Sequence, residues 1–205
     1  MTAIIDYGVG NLFSLACSLE YIGEHAVVTS DRQTILDADR VILPGVGAFG
    51  GAMEKLKAAS LVTVVREVAL SGKPLLGICL GMQLLFEKSR EFGEHDGLGL
   101  IPGVVAPLSD DISGYKIPHM GWNKLDIIKD DALFSAIANK DDAYVYYVHS
   151  FYAKDCAENT LAVSEYGVSV TGAVKKDNIY GTQFHPEKSG ITGLAMLKAF
   201  CNMGG

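Results

Sequence analysis

Lys73-Pro-Leu-Leu-Gly-Ile-Cys79-Leu-Gly-Met-Gln83 is the stretch that decides the fold. Pro74 to Ile78 is a short unbroken apolar run, the pattern of a strand buried on both faces. Leu80 to Lys88 then reads as a helix. Cys79 stands at the junction, with glycine two residues before it and two after: Gly77-Ile78-Cys79-Leu80-Gly81. This is the spacing of a nucleophile elbow, with sulfur in place of hydroxyl. Such a turn presses its flanks against a neighbouring strand or helix, so a Cβ at either flank would collide. A helix N-terminus favours thiolate over thiol, and the Leu80 amide would point at an oxyanion formed there. The pentapeptide alone fits a buried core cysteine beside two packing glycines almost as well.

The residues before this turn alternate between strand and helix. Thr2–Asp6 reads as a strand and Tyr7-Gly8-Val9-Gly10 as a turn, with Asn11 as an N-cap. Leu12, Leu15, Ala16, Leu19 and Ile22 have helical spacing, and Gly23 closes that helix. Ala26–Thr29 and Arg40–Leu43 read as strands, with a short helix at Thr34–Asp37 between them. Val46–Gly51 reads as a glycine-rich loop and Met53–Leu70 as helix in two pieces. The alternation predicts an α/β fold of three layers, a mixed, mainly parallel sheet with helices on both faces. The second half is strand-rich: Val104–Pro107, Trp122–Ile127, Tyr144–Val148, Leu161–Tyr166, Val168–Val174 and Ile179–Phe184. These predict antiparallel additions to the same sheet, followed by a helix over Ile191–Cys201. With no linker or repeat, residues 1–205 read as one domain.

Composition narrows the function. Seventeen basic and twenty-four acidic residues leave a net charge of −7, which argues against non-specific nucleic-acid binding. Hydrophobic residues make up 49% of the chain, which excludes disorder. No apolar run approaches the roughly 20 residues of a membrane span, and the first residues show no secretory signal. The four cysteines, at 17, 79, 156 and 201, form no C-x-x-C pair, so no metal site is expected. A cytoplasmic protein with free thiols is the expectation. Cys17 and Cys201 read as small buried hydrophobes, and Cys156, in a polar stretch, as incidental.

Two further stretches bear on Cys79. In Gln183-Phe-His185-Pro186-Glu187-Lys188, His185 and Glu187 are two residues apart, so on an extended chain they share a side. A base held by a carboxylate is the logic of Cys-His-acid catalysis; a strand-end histidine beside a surface glutamate is the plainer alternative. In Pro44-Gly45-Val46-Gly47-Ala-Phe49, a strand runs into a glycine turn whose amides are free to face a ligand. No G-K-[S/T] follows, which excludes a P-loop and favours an oxyanion loop.

P-G-V-G, G-I-C-L-G-M-Q and H-P-E together resemble the class I glutamine amidotransferases, across the whole chain. The resemblance implies a flavodoxin-like sheet and glutamine hydrolysis by Cys79, His185 and Glu187, without a cofactor. It implies an oxyanion hole at Val46, Gly47 and Leu80. It implies glutamine contacts at Gly45, Gln83, Glu91, Ser150 and Phe151, although Gln83 also reads as an exposed helix residue and Glu91 as a solvated helix-end charge. Pro118-His-Met-Gly-Trp-Asn123 and Tyr146-Tyr-Val-His149-Ser150-Phe151 are similar to one branch of the family. Its members pass ammonia to a (β/α)8-barrel cyclase subunit in histidine biosynthesis, forming imidazole glycerol phosphate and an aminoimidazole carboxamide ribotide. That branch implies a heterodimer interface at Asn11, Met120, Trp122, Tyr146 and Lys188; on residue type alone, Trp122 is a core aromatic. A glutaminase subunit for another acceptor, a stand-alone cysteine hydrolase and a catalytically silent regulatory module are the rival readings.

Overall fold

The computed structural model describes residues 1–203. The first elements are Thr2–Ile5 (β1), Leu12–Tyr21 (α1), Ala26–Thr29 (β2), Arg32–Asp37 (α2) and Arg40–Leu43 (β3). Phe49–Ala58 (α3), Leu61–Leu70 (α4), Leu75–Ile78 (β4) and Leu80–Leu84 (α5) follow. Then come Phe86–Ser89 (β5), His95–Asp96 (β6), Ile101–Pro107 (β7), His119–Lys124 (β8), Asp126–Ile127 (β9) and Tyr144–His149 (β10). Phe151–Lys154 (β11), Thr160–Glu165 (β12), Ser169–Lys176 (β13), Ile179–Thr182 (β14) and Gly190–Cys201 (α6) complete the chain.

The central sheet has the order β2-β1-β3-β4-β14-β13-β12-β9. Its first five strands run parallel, and β13, β12 and β9 are antiparallel additions. Alternate residues of each central strand enter different cores. Ala3, Ile5, Val41, Leu43 and Leu75 pack with α2, α3 and α4. Ile4, Ile42, Leu76 and Ile78 pack with α1 and α6. This is the expected three-layer arrangement, and it explains why β1, β3 and β4 are buried at every position.

Four local readings are corrected. The helix after Cys79 ends at Leu84, because the carbonyls of Leu84, Leu85 and Phe86 accept from the amides of Leu98, Leu100 and Gly99. Those carbonyls are lost to helix propagation, and Phe86–Ser89 becomes a strand. The later strands do not all join the central sheet: β8 and β10 form their own ladder, and β11-β7-β5-β6 a third sheet. The Val46–Gly51 loop is shorter than read, since α3 already begins at Phe49. Cys17 is exposed rather than a buried hydrophobe, whereas Cys201 is buried as read. Asn11 does stand at the N-cap of α1, but its side chain makes no capping bond.

Candidate active site

The turn after β4 has the geometry of a strained elbow. Cys79 has φ 55° and ψ −112°, a backbone conformation L residues rarely adopt. It is held from both sides: Cys79 N donates to Thr182 O at 2.7 Å, and Gln83 N donates to Cys79 O at 3.1 Å. The flanking glycines are sterically required. A Cβ on Gly77 would lie 2.7 Å from Met82 backbone, and one on Gly81 would lie 1.8 Å from Leu43 O.

Parallel pairing brings the second stretch to this turn. Thr182 is in register with Ile78, so the residues just beyond β14 sit beside Cys79 although 104 residues separate Gln183 from it. His185 and Glu187 are not on an extended segment as read. Pro186–Lys188 is a 3-10 turn, with Pro186 supplying the fixed φ of its first position. The turn still pairs them: His185 Nδ1 donates to Glu187 Oε1 at 2.8 Å, with both side chains almost fully buried. Ser189 Oγ donates to His185 O, and His185 N donates to Tyr146 O, which ties the turn to β10. Burial disfavours a charged imidazole, but the Cys79 sulfur and the Glu187 carboxylate outweigh it and raise His185 to about 10. His185 Nε2 is buried and makes no hydrogen bond, so it remains free for proton transfer.

The third stretch, after β3, completes the rim. Tyr7 Oη donates to Pro44 O at 2.8 Å and pins the start of the loop. A Cβ on Gly45 would lie 2.8 Å from Gly81 N and 2.9 Å from Tyr7 Oη, so this loop and the elbow touch through bare backbone. Gly47 has φ +95°. Val46, Gly47, Cys79, Leu80, Gln83, Glu91, Ser150, Phe151 and His185 all line one cleft of about 570 Å³. Gly45 lines instead a small void beside Asn11, Val46, His185 and Glu187. All three loops leave the carboxyl ends of parallel strands, where α/β sheets place their ligands.

Three plainer readings are overturned. Gln83 is not an exposed helix residue: it is buried and donates from Nε2 to Phe151 O and to Gln183 Oε1, both at 3.0 Å. Glu91 is not a solvated charge: it is buried and accepts from Phe49 N, at the positive end of α3. Trp122 is not a core aromatic. It is 56% exposed and Met120 63%, both on the outer face of β8. Trp122 meets the half-buried Tyr146 edge-on, and Lys188 is exposed on the His185 turn. Among the described residues no group of three or more His, Cys, Asp or Glu could hold a metal.

Sequence reading passed over Tyr7, His149 and Gln183. His149 lines the cleft, donates from Nδ1 to Phe151 O, and accepts at Nε2 from the buried His119. Gln183 was inside a quoted motif, but only the packing shows that its amide meets Cys79.

Residues 3–203 match the family described as glutamine amidotransferase class-I. Relatives described as imidazole glycerol phosphate synthase subunit HisH, from Bacillus thuringiensis subsp. konkukian and from Bacillus anthracis, are 54% identical over 200 residues, covering 98% of this chain and 93% of theirs. Among solved structures, PurLQS from Thermotoga maritima superposes with a TM-score of 0.74 at 20% identity, covering 98% of this chain and 97% of that one. The glutaminase domain of Trypanosoma brucei CTPS, with bound acivicin, superposes with a TM-score of 0.65 at 18% identity, covering 97% and 92%. At these identities the solved structures bear on the fold alone.

Proposed function

The chain belongs to the class I glutamine amidotransferase family and, within it, to the HisH subunits of imidazole glycerol phosphate synthase; on that premise we propose that it releases ammonia from glutamine in histidine biosynthesis. The observation that carries this reading is the meeting of Cys79, on its positive-φ elbow, with the buried His185–Glu187 pair at the ends of adjacent strands. The Cys79 thiolate attacks the side-chain amide carbon of glutamine. The amides at Val46 or Gly47, with that of Leu80, receive the oxyanion; losing one such donor costs about 10²–10³ in rate. His185, raised so that its charged form prevails at neutral pH, gives its proton to the departing ammonia. The neutral ring then takes a proton from water, which cleaves the glutamyl thioester to glutamate. Glu187 holds the ring through Nδ1, which leaves Nε2 for both transfers. Gln83, Glu91, Ser150 and Phe151 shape the glutamine pocket, and Gly45 lets the oxyanion loop pack against the elbow beside it.

The ammonia goes to the second subunit, a (β/α)8-barrel cyclase that forms imidazole glycerol phosphate and an aminoimidazole carboxamide ribotide. The exposed Met120 and Trp122, with Tyr146, Lys188 and Asn11, are the surface we assign to that barrel; buried aromatic anchors dominate such interfaces. No helix among the described residues is long and apolar enough to cross a membrane. We take residues 1–205 as one amidotransferase domain working in the cytoplasm. The test is glutaminase turnover with and without the cyclase and its ribotide substrate. Stimulation by both, abolished by Cys79→Ser, is expected; an unstimulated rate, or a Cys79→Ser variant with near wild-type turnover, would overturn the reading.

A further inference from the structure

Beside the Cys79 sulfur lies the side chain of Gln183. It is fully buried and does not line the cleft. Its Nε2 donates to Cys79 Sγ at 3.8 Å. The direction of that bond follows from a backbone group. Phe151 O, a carbonyl, only accepts, so the end of Gln83 that faces it at 3.0 Å is the NH2 group. The other hydrogen of the same NH2 goes to Gln183 at 3.0 Å, which makes the facing atom of Gln183 its carbonyl oxygen. The remaining end of Gln183, turned to the sulfur, is therefore a donor. The Gln183 backbone is fixed as well, since its N donates to Gly172 O at 2.8 Å.

The sulfur has a second polar neighbour of opposite character. Val148 O lies 4.0 Å from Cys79 Sγ and accepts from the protonated thiol. A thiol is thus served by Val148 and a thiolate by Gln183. We propose that Gln183 is a thiolate-stabilising residue of the glutaminase site, acting on the sulfur from outside the cleft lining. With the thiol proton on His185 Nε2, the Gln183 hydrogen stays on its own nitrogen and faces the negative charge left on the sulfur. Hydrogen bonds to charged groups are worth about twice those between neutral ones, and the donor here is already oriented before the proton moves. The proposal rests on the reading of Cys79 as the nucleophile.

The test uses Gln183→Met, which keeps the volume and removes the donor, and Gln183→Glu, which keeps an acceptor for Gln83 but offers none of its hydrogens to sulfur when ionised. Both are assayed in the complex with the cyclase for kcat and for glutamate affinity. Cys79 alkylation by iodoacetamide is followed in the free chain by peptide mass spectrometry, with the exposed Cys17 as internal reference. Expected are a kcat lower by about ten- to a hundredfold and slower Cys79 alkylation by a similar factor. Cys17 alkylation and glutamate affinity should stay within about twofold. If the buried carboxylate unfolds Gln183→Glu, the volume-matched methionine variant decides. A folded Gln183→Met with kcat and Cys79 alkylation within about twofold of wild type overturns the proposal. Wild-type turnover by Cys79→Ser would instead remove the nucleophile reading; a dead Cys79→Ser beside an unimpaired Gln183→Met removes only the role of Gln183.

Discussion

The parallel half of the central sheet and the β8–β10 ladder border the same cleft but are held by different forces. In the parallel half, backbone approaches backbone: Gly45 against Gly81, Gly81 against Leu43 O, Cys79 N on Thr182 O. Where the loops meet at the cleft, few side chains intervene between these contacts. The ladder is the reverse. Its inner face is a chain of side chains, in which Asn123 Nδ2 donates to His119 Nε2, His119 Nδ1 to His149 Nε2, and His149 Nδ1 to Phe151 O. His119 is stacked between Tyr147 and Tyr166. Its outer face offers Met120 and Trp122 to solvent. One region has no room for a Cβ at Gly45, Gly77 or Gly81, and the other depends on two buried imidazoles staying neutral.

The contrast is sharpest at Gly81. Gly81→Ala puts a Cβ 1.8 Å from the Leu43 backbone carbonyl oxygen, so the strand or the elbow must shift. A loss of about 4 kcal/mol, at the extreme of single substitutions, is expected in urea unfolding. Glutaminase activity should disappear with it. A stable, active Gly81→Ala would mean the two loops are not held by close backbone contact.

Glu187→Gln comes next. It leaves the packing intact but removes the charge that favours imidazolium and fixes the ring. Stimulated kcat should fall about a hundredfold, with little change in melting temperature. If the melting temperature falls instead and kcat does not, the buried pair serves stability alone.

Acidity distinguishes the regions by sign. Burial lowers His119 to about 4 and His149 to about 3, with the neighbouring imidazole adding to the effect on His149. A histidine depressed on folding contributes stability that is present above its ordinary value of about 6.5 and lost as pH falls through that range. His185 behaves oppositely: its contribution is present below about 6.5 and lost as pH rises toward 10. Urea midpoints should therefore fall on both sides of neutrality. His119→Phe, which keeps the aromatic stack, should flatten the slope between pH 4 and 6.5 by about one proton and leave the alkaline limb alone. An unchanged acid slope would exclude His119 as its source.

Trp122→Ala has the smallest effect on the free chain, within about 0.5 kcal/mol of wild-type stability. Its consequence belongs to assembly: affinity for the barrel, measured by calorimetry, should drop tenfold or more. Equal affinity would move the interface elsewhere.

What the sequence disclosed follows the same division. The parallel half was legible because its rules are local: apolar runs of strand length, glycines at fixed offsets from Cys79, a glycine turn after β3. The family motifs then brought Val46, Gly47, Gln83 and His185 to one cleft wall, where they are found together. Phe86–Ser89 was misread because residues 98–100 claim the carbonyls that a helix would need. Glu91 and Gln83 each kept a solvated alternative because burial of a polar side chain is decided by partners far along the chain, here Phe49 N and Phe151 O. The histidine chain escaped notice for the same reason, since its members come from two separate strands and meet only through the ladder register.

The central claim is that Cys79 carries the glutamyl group. Acid quenching of the cyclase complex during glutamine turnover, followed by peptide mass spectrometry, tests it directly. A glutamyl thioester on the peptide containing Cys79, lost in Cys79→Ser and accumulating in a variant of His185, is the predicted result. Sustained glutamine hydrolysis with no adduct on Cys79, or with the adduct on another residue, would contradict it.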